Sequence, residues 1–141
     1  MPTYLLFIML TVVVIGLGAF IFWQFGSPES DKSLPAISGI GVAFKGKTSA
    51  QIIWQTDTPC SSQVEYGRTA RYGFMEPVVP INDPITGKST GVISHSVTLT
   101  NLKAGYTYHY RVKSKNAAGN ESISNDFSFK TDSAAPFVVP D

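Results

Sequence analysis

Two histidines, one cysteine and ten carboxylates are the side chains of this 141-residue chain best suited to chemistry. A metal site needs three or four such donors held together, and a nucleophilic site needs a thiol or hydroxyl beside a base. His95 and His109 fall in alternating segments that read as strands, where an imidazole with a satisfied hydrogen bond is the ordinary outcome. The carboxylates Asp57, Glu65, Glu76, Asp83, Asp126 and Asp132 are dispersed, with no spacing that gathers a metal. Cys60 has no histidine or cluster of bases beside it in sequence, so an activated thiol is not expected. There is no phosphate-cradling glycine loop. These residues predict no enzyme, no metal, no cofactor and no small-molecule substrate.

Charge and cysteine usage narrow the class further. A formal net charge of +1 supplies no field to draw in nucleic acid, and none is expected as a partner. Arg111, Lys113 and Lys115 share one face of a strand, which reads as a solvated basic stripe. A lone cysteine forbids an internal disulfide, so the folded part must be held by packing alone. In an exported domain that usage suits a bacterial or archaeal surface better than a disulfide-rich secreted scaffold.

The elements that carry these residues fall into four parts: 1–25, 26–35, 36–132 and 133–141. The first is dominated by Tyr4 to Trp23, twenty residues without a charge. As a helix it would be about 30 Å long, the thickness of a bilayer's hydrocarbon layer. Tyr4 and Trp23 stand at its ends, where aromatic rings favour the headgroup region. Gly16, Gly18 and Ala19 form a notch that would let a second helix approach closely. Three readings compete. An uncleaved anchor would hold a single-pass protein at a membrane with its domain outside the cytoplasm. A cleaved signal peptide fits less well, because no basic residue precedes the apolar run and Phe20-Ile21-Phe22-Trp23 is a poor cleavage site. A filament helix would bundle with copies of itself, as in type IV pilins, whose motif glutamate at the fifth residue is here Leu5. The expected partners are therefore membrane lipid or neighbouring hydrophobic helices, and other protein subunits including copies of this chain.

Gly26 to Pro35 reads as a linker, too polar and too broken to pack. From Ile37 the apolar period becomes two. Ser49 to Gln55, Gln63 to Gly67, His95 to Thr100, Tyr108 to Lys113 and Phe127 to Lys130 alternate cleanly, with Thr58-Pro59, Asn82-Asp83-Pro84, Thr86-Gly87, Ala104-Gly105 and Ala118-Gly119-Asn120 as turns between them. About seven short strands and no helical segment in this part predict an all-β antiparallel sandwich. The expected inward set is Ile52, Trp54, Val64, Tyr66, Val97, Leu99, Tyr108, Tyr110, Val112, Phe127 and Phe129. Asn82 to Gly91 is the longest polar connection and reads as a flexible hairpin. Asn120-Glu121-Ser122 is a formal glycosylation sequon. The end, with Phe137-Val138-Val139 between prolines, is disordered by default or lies along a neighbour's sheet edge.

Asn101 to Val112 (NLKAGYTYHYRV) resembles the corner of fibronectin type III domains, with Leu102, Gly105 and Tyr108 matching and Ala104 in place of the usual proline. Trp54 falls where that family carries its core tryptophan, and Phe127 lies in the counterpart of its closing strand. Ser61 to Thr69 (SSQVEYGRT), which includes Tyr66, followed by His95 to Leu102 (HSVTLTNL), is similar to the non-catalytic N-terminal domain of purple acid phosphatases. The resemblance implies a fibronectin type III-like, immunoglobulin-like fold over about residues 36–132. It implies a corner tyrosine at Tyr108 bonded back to nearby backbone. It also implies a structural, adhesive or assembly role, because in the phosphatases the metal ligands belong to a different domain.

Overall fold

Alternating side chains sort this polypeptide into two facing layers. The structure is a computed structural model that describes residues 33–134. Tyr4, Gly16, Gly18, Ala19 and Trp23, most of the 26–35 linker, and Phe137-Val138-Val139 lie outside the described residues. Eight strands run through the rest: β1 (Ile37–Lys45), β2 (Ala50–Cys60), β3 (Ser62–Gly67), β4 (Phe74–Ile81), β5 (Val92–Leu99), β6 (Thr107–Lys115), β7 (Glu121–Ile123) and β8 (Phe127–Lys130). One sheet has the order β1-β2-β5; the other has β4-β3-β6-β7, with β8 also on β6. Every strand pairing is antiparallel.

The core lies between the sheets. Ala50, Ile52, Trp54, Val97 and Leu99 come from the three-stranded layer, and Val64, Tyr108, Tyr110, Val112 and Phe129 from the other, all buried. Leu102 closes one end at 4% exposure. Each large apolar side chain buried here contributes about 1.5–3 kcal/mol, which is how the sandwich dispenses with a disulfide. Tyr66 is only half-buried, packed against the core and tilted on Phe74 at 5.5 Å. Phe127, expected inward, is 37% exposed. It rests on Tyr110 at 5.8 Å but borders an open recess that it shares with Pro35, Ile37 and Ile40.

Several expectations change. Eight strands replace about seven because the final one is broken: β7 and β8 both pair β6, with Ser124 between them. At the break the Ser124 hydroxyl accepts from Val112 N at 3.0 Å, standing in for a backbone carbonyl. Thr58-Pro59 is no turn but the end of β2, where register with β5 is lost between Gln55 and Cys60. β4 went unanticipated because Pro77 and Pro80 interrupt its pattern. The Asn82–Gly91 connection is no hairpin, since it leaves β4 in one sheet and enters β5 in the other. It carries one 3-10 turn, Pro84–Thr86, started by Asp83 accepting from Ile85 N and closed by Gly87 at φ 69°. Finally, the last residues of the expected linker do pack. Pro35 is buried, and the Ser33 carbonyl accepts from Asn116 Nδ2 at 3.1 Å and Asn120 Nδ2 at 3.3 Å.

Candidate functional site

The period-two rule that buries Tyr108, Tyr110, Val112 and Ser114 of β6 turns His109, Arg111, Lys113 and Lys115 outward. Glu65 stands directly opposite Arg111 on β3, and Glu121 opposite Lys115 on β7. The expected basic stripe is therefore interleaved with acids. Arg111 Nε is hydrogen-bonded to Glu65 Oε2, and Lys113 Nζ lies 3.6 Å from Glu65 and 3.5 Å from Glu121. Lys115 Nζ completes the ladder 3.9 Å from Glu121.

A second cluster adjoins it. The chain after β3 turns sharply at Tyr72, which has φ 57° and sets its ring under the Arg111 guanidinium, 4.6 Å away. The Tyr72 hydroxyl donates to Asp126 Oδ1 at 3.0 Å, and His109 Nδ1 lies 2.8 Å from Asp126 Oδ2. The hydrogen bond from His109, then that from Tyr72, holds the Asp126 carboxyl below its usual range. Tyr72 is pushed up, first by desolvation and then by Asp126. Glu65, Arg71, Tyr72, Phe74, Met75 and Arg111 line a shallow depression of about 220 Å³. His109 and Asp126 form a dyad, but among the described residues no thiol or alcohol is hydrogen-bonded to the imidazole. Among the described residues no group of three or more His, Cys, Asp and Glu side chains comes together to hold a metal. What the arrangement offers is a fixed pattern of charges and one cation-backed aromatic ring on an accessible sheet face.

The other histidine is internal. His95 of β5, 3% exposed, stands opposite Trp54 of β2, and the rings stack at 4.8 Å with 4° between planes. Its Nε2 lies 2.9 Å from Thr56 Oγ1 and its Nδ1 2.7 Å from Ser62 Oγ. Thr56 spends its proton on the Thr58 carbonyl at 2.7 Å, so the network assigns the imidazole proton to Nε2, with Ser62 donating to Nδ1. Burial lowers the His95 pKa to about 4. The Trp54 indole N–H donates to Ser114 Oγ at 2.9 Å, so a polar bridge joins the two layers through the core. Cys60 is buried nearby, with its thiol pushed up by desolvation.

Of the residues singled out in the sequence, Trp54, Leu102 and Tyr108 are buried together in the core, whereas Tyr66 and Phe127 sit at its rim. The Tyr108 hydroxyl accepts from Lys103 N at 2.9 Å, five residues back. The Tyr72–Asp126–His109 cluster was not visible in the sequence. Tyr72 and Asp126 are 54 residues apart, and only the strand order brings them together.

Comparison with known proteins follows the fold. The family model for the purple acid phosphatase N-terminal domain matches residues 37–131. Among solved structures, the sensor domain of the anti-sigma factor RsgI4 of Pseudobacteroides cellulosolvens is 20% identical with a TM-score of 0.53, over 76% of this chain and 98% of that one. The fibronectin type III domain of human fibronectin type III domain containing protein 3 is 22% identical with a TM-score of 0.50, over 79% and 95%. At such identities the likeness is one of fold. No curated protein matches the chain.

Proposed function

The chain belongs to the family of purple acid phosphatase N-terminal domains, and from that premise we propose that it is a non-enzymatic contact module displayed outside the cytoplasm on a single membrane anchor. The family match and the fibronectin type III-like neighbours support a module whose work is contact rather than catalysis. The carrying observation is the outer face of the five-stranded sheet. There Glu65, Arg111, Lys113 and Glu121 are locked in a ladder beside Tyr72, Asp126 and His109, a pattern suited to selecting a partner by charge. The uncharged stretch Tyr4 to Trp23 supports anchoring, and the neighbour that is a sensor domain supports a contact-receiving role. Fractionation tests the anchor: the full chain stays in the membrane pellet through high-salt and alkaline washes and leaves it only with detergent. Protease added to intact spheroplasts digests the sandwich. Recovery of the chain in the soluble fraction, or full protection of the sandwich, would refute the reading.

A further inference from the structure

Among the described residues the sandwich has four strand borders, and three of them are blunted against further pairing. β1 breaks register with β2 twice and holds Gly39 at φ 61°. β4 contains Pro77 and Pro80 and bulges from β3, the gap being filled by Gln63 Nε2 donating to the Pro77 and Val78 carbonyls at 2.9 and 3.2 Å. The last border is split into β7 and β8, of three and four residues. Prolines, bulges and short strands are the devices that keep an edge from recruiting another chain.

β5 is eight residues long with no proline, and the one register shift in its pairing falls on β2, between Gln55 and Cys60. It pairs in unbroken register from Leu99 opposite Ala50 to Ser94 opposite Gln55, and it has no strand on its other side. Its eight residues, VISHSVTL, include no proline, no glycine and no Lys, Arg, Asp or Glu. Ser94, Ser96 and Thr98 are exposed along it.

The sequence beyond the described residues contains a segment that matches this border. Residues 135–141 read Ala-Pro-Phe-Val-Val-Pro-Asp and are uncharged up to Asp141. Extended, seven residues span about 23 Å, close to the roughly 26 Å of an eight-residue strand. Successive residues of an extended strand turn their N–H and C=O groups to opposite borders. Pro136 and Pro140 are four apart, so both missing donors fall on the border that also carries Val138. The border of Phe137, Val139 and Asp141 keeps every N–H. Such a segment can add to an edge once and then present a proline-blunted edge of its own. Asp132 N donates to Gly46 O beside the end of β1, across the sheet from the open side of β5. Pairing within one copy would therefore consume most of the segment in crossing the sandwich.

We propose that residues 136–141 of one copy add as a strand to the open border of β5 in a second copy. The inference rests on the reading of this domain as a contact module and names its partner as another copy of the chain. Because donor and acceptor surfaces differ, the contact is head-to-tail and propagates.

Two measurements on the full chain in membranes test it. A donor carrying Val138→Cys is co-produced with a tagged acceptor carrying Ser96→Cys, then oxidised. The expected result is a mixed disulfide dimer, in clear excess over a Val42→Cys acceptor on β1. Equal capture at Val42, dominant Ser96–Ser96 dimers, or no dimer at all would overturn the proposal. In the second measurement, donors carrying Val139→Pro or Val138→Pro are recovered with the tagged acceptor from detergent extract. Val139→Pro removes an N–H from the pairing border and lowers recovery about fivefold or more, whereas Val138→Pro stays within about twofold. Equal effects of the two prolines would overturn it. Every variant is also followed in washed membranes, so that failed anchoring is seen separately from failed pairing.

Discussion

The Trp54 indole and the His95 imidazole lie parallel, 4.8 Å apart, on adjacent strands of one sheet. Each then reaches the opposite layer through a serine, Ser114 for the indole and Ser62 for the imidazole. This pair makes the core's polar bridge, and it sets two of the expected behaviours.

The first is acid sensitivity. His95 is lowered to about 4 in the folded state by burial, against an ordinary value of 6.5 when unfolded. Above pH 6.5 both states are neutral there and stability does not depend on this group. Between about 6.5 and 4 the unfolded chain takes up a proton that the folded one refuses, so stability falls with pH. The full loss is about 3 kcal/mol. Denaturant titrations from pH 8 to pH 4 should show this decline, and His95→Gln should flatten it. An unchanged slope in that variant would place the sensitivity elsewhere.

Ser114→Ala leaves the Trp54 N–H buried without an acceptor. The expected loss is about 1–3 kcal/mol, larger than for the neighbouring substitution Lys115→Ala, which gives up a half-buried side chain and a long ion pair to Glu121. Equilibrium unfolding of the two variants decides it, and equal losses would remove the hydrogen bond from the account.

Tyr108→Phe removes the hydroxyl that accepts from Lys103 N, while the ring's contact with Phe129 remains. A loss of about 0.5–1.5 kcal/mol is expected, with little change in the steepness of the denaturant transition. A much larger loss accompanied by a changed slope would mean that the corner as a whole had come apart.

Gly67→Ala and Gly41→Ala should differ sharply. A Cβ on Gly67 would lie 2.1 Å from the Tyr72 carbonyl oxygen, a backbone atom that cannot turn aside. A Cβ on Gly41 meets nothing within 4 Å. The first should cost more than about 2 kcal/mol and pull Tyr72 from under Arg111, quenching the depression on the outer face; the second should be within about 1 kcal/mol of neutral. Thermal melts of the two variants, side by side, measure the difference.

How much could be read beforehand follows from the range of the interactions. The alternation of Ile52 with Trp54, and of Tyr108 with Tyr110 and Val112, is a local signal, and it marked the layers correctly. The buried core around Trp54, Leu102 and Tyr108 followed from that alternation and from the corner motif. β4 did not, because its prolines belong to an edge position that only the assembled sheet defines. The exposure of Phe127 likewise depends on what β1 leaves uncovered. The outer cluster was hidden for the same reason: Glu65 meets Arg111, and Tyr72 meets Asp126, through pairings 46 and 54 residues long. The positive φ of Tyr72 carries no mark in the amino-acid type.

β2 leaves one layer and β3 enters the other with only Ser61 between them, whose N–H and hydroxyl are both bonded to Lys115 backbone. There is no slack at this junction. Adding or deleting one residue there would invert which side chains of the following strand face the greasy interior. Drift in chain length must then be absorbed elsewhere, with the ten residues from Asn82 to Gly91 the natural place. That stretch is where a protein of this design can lengthen, acquire new contacts and still close its sandwich.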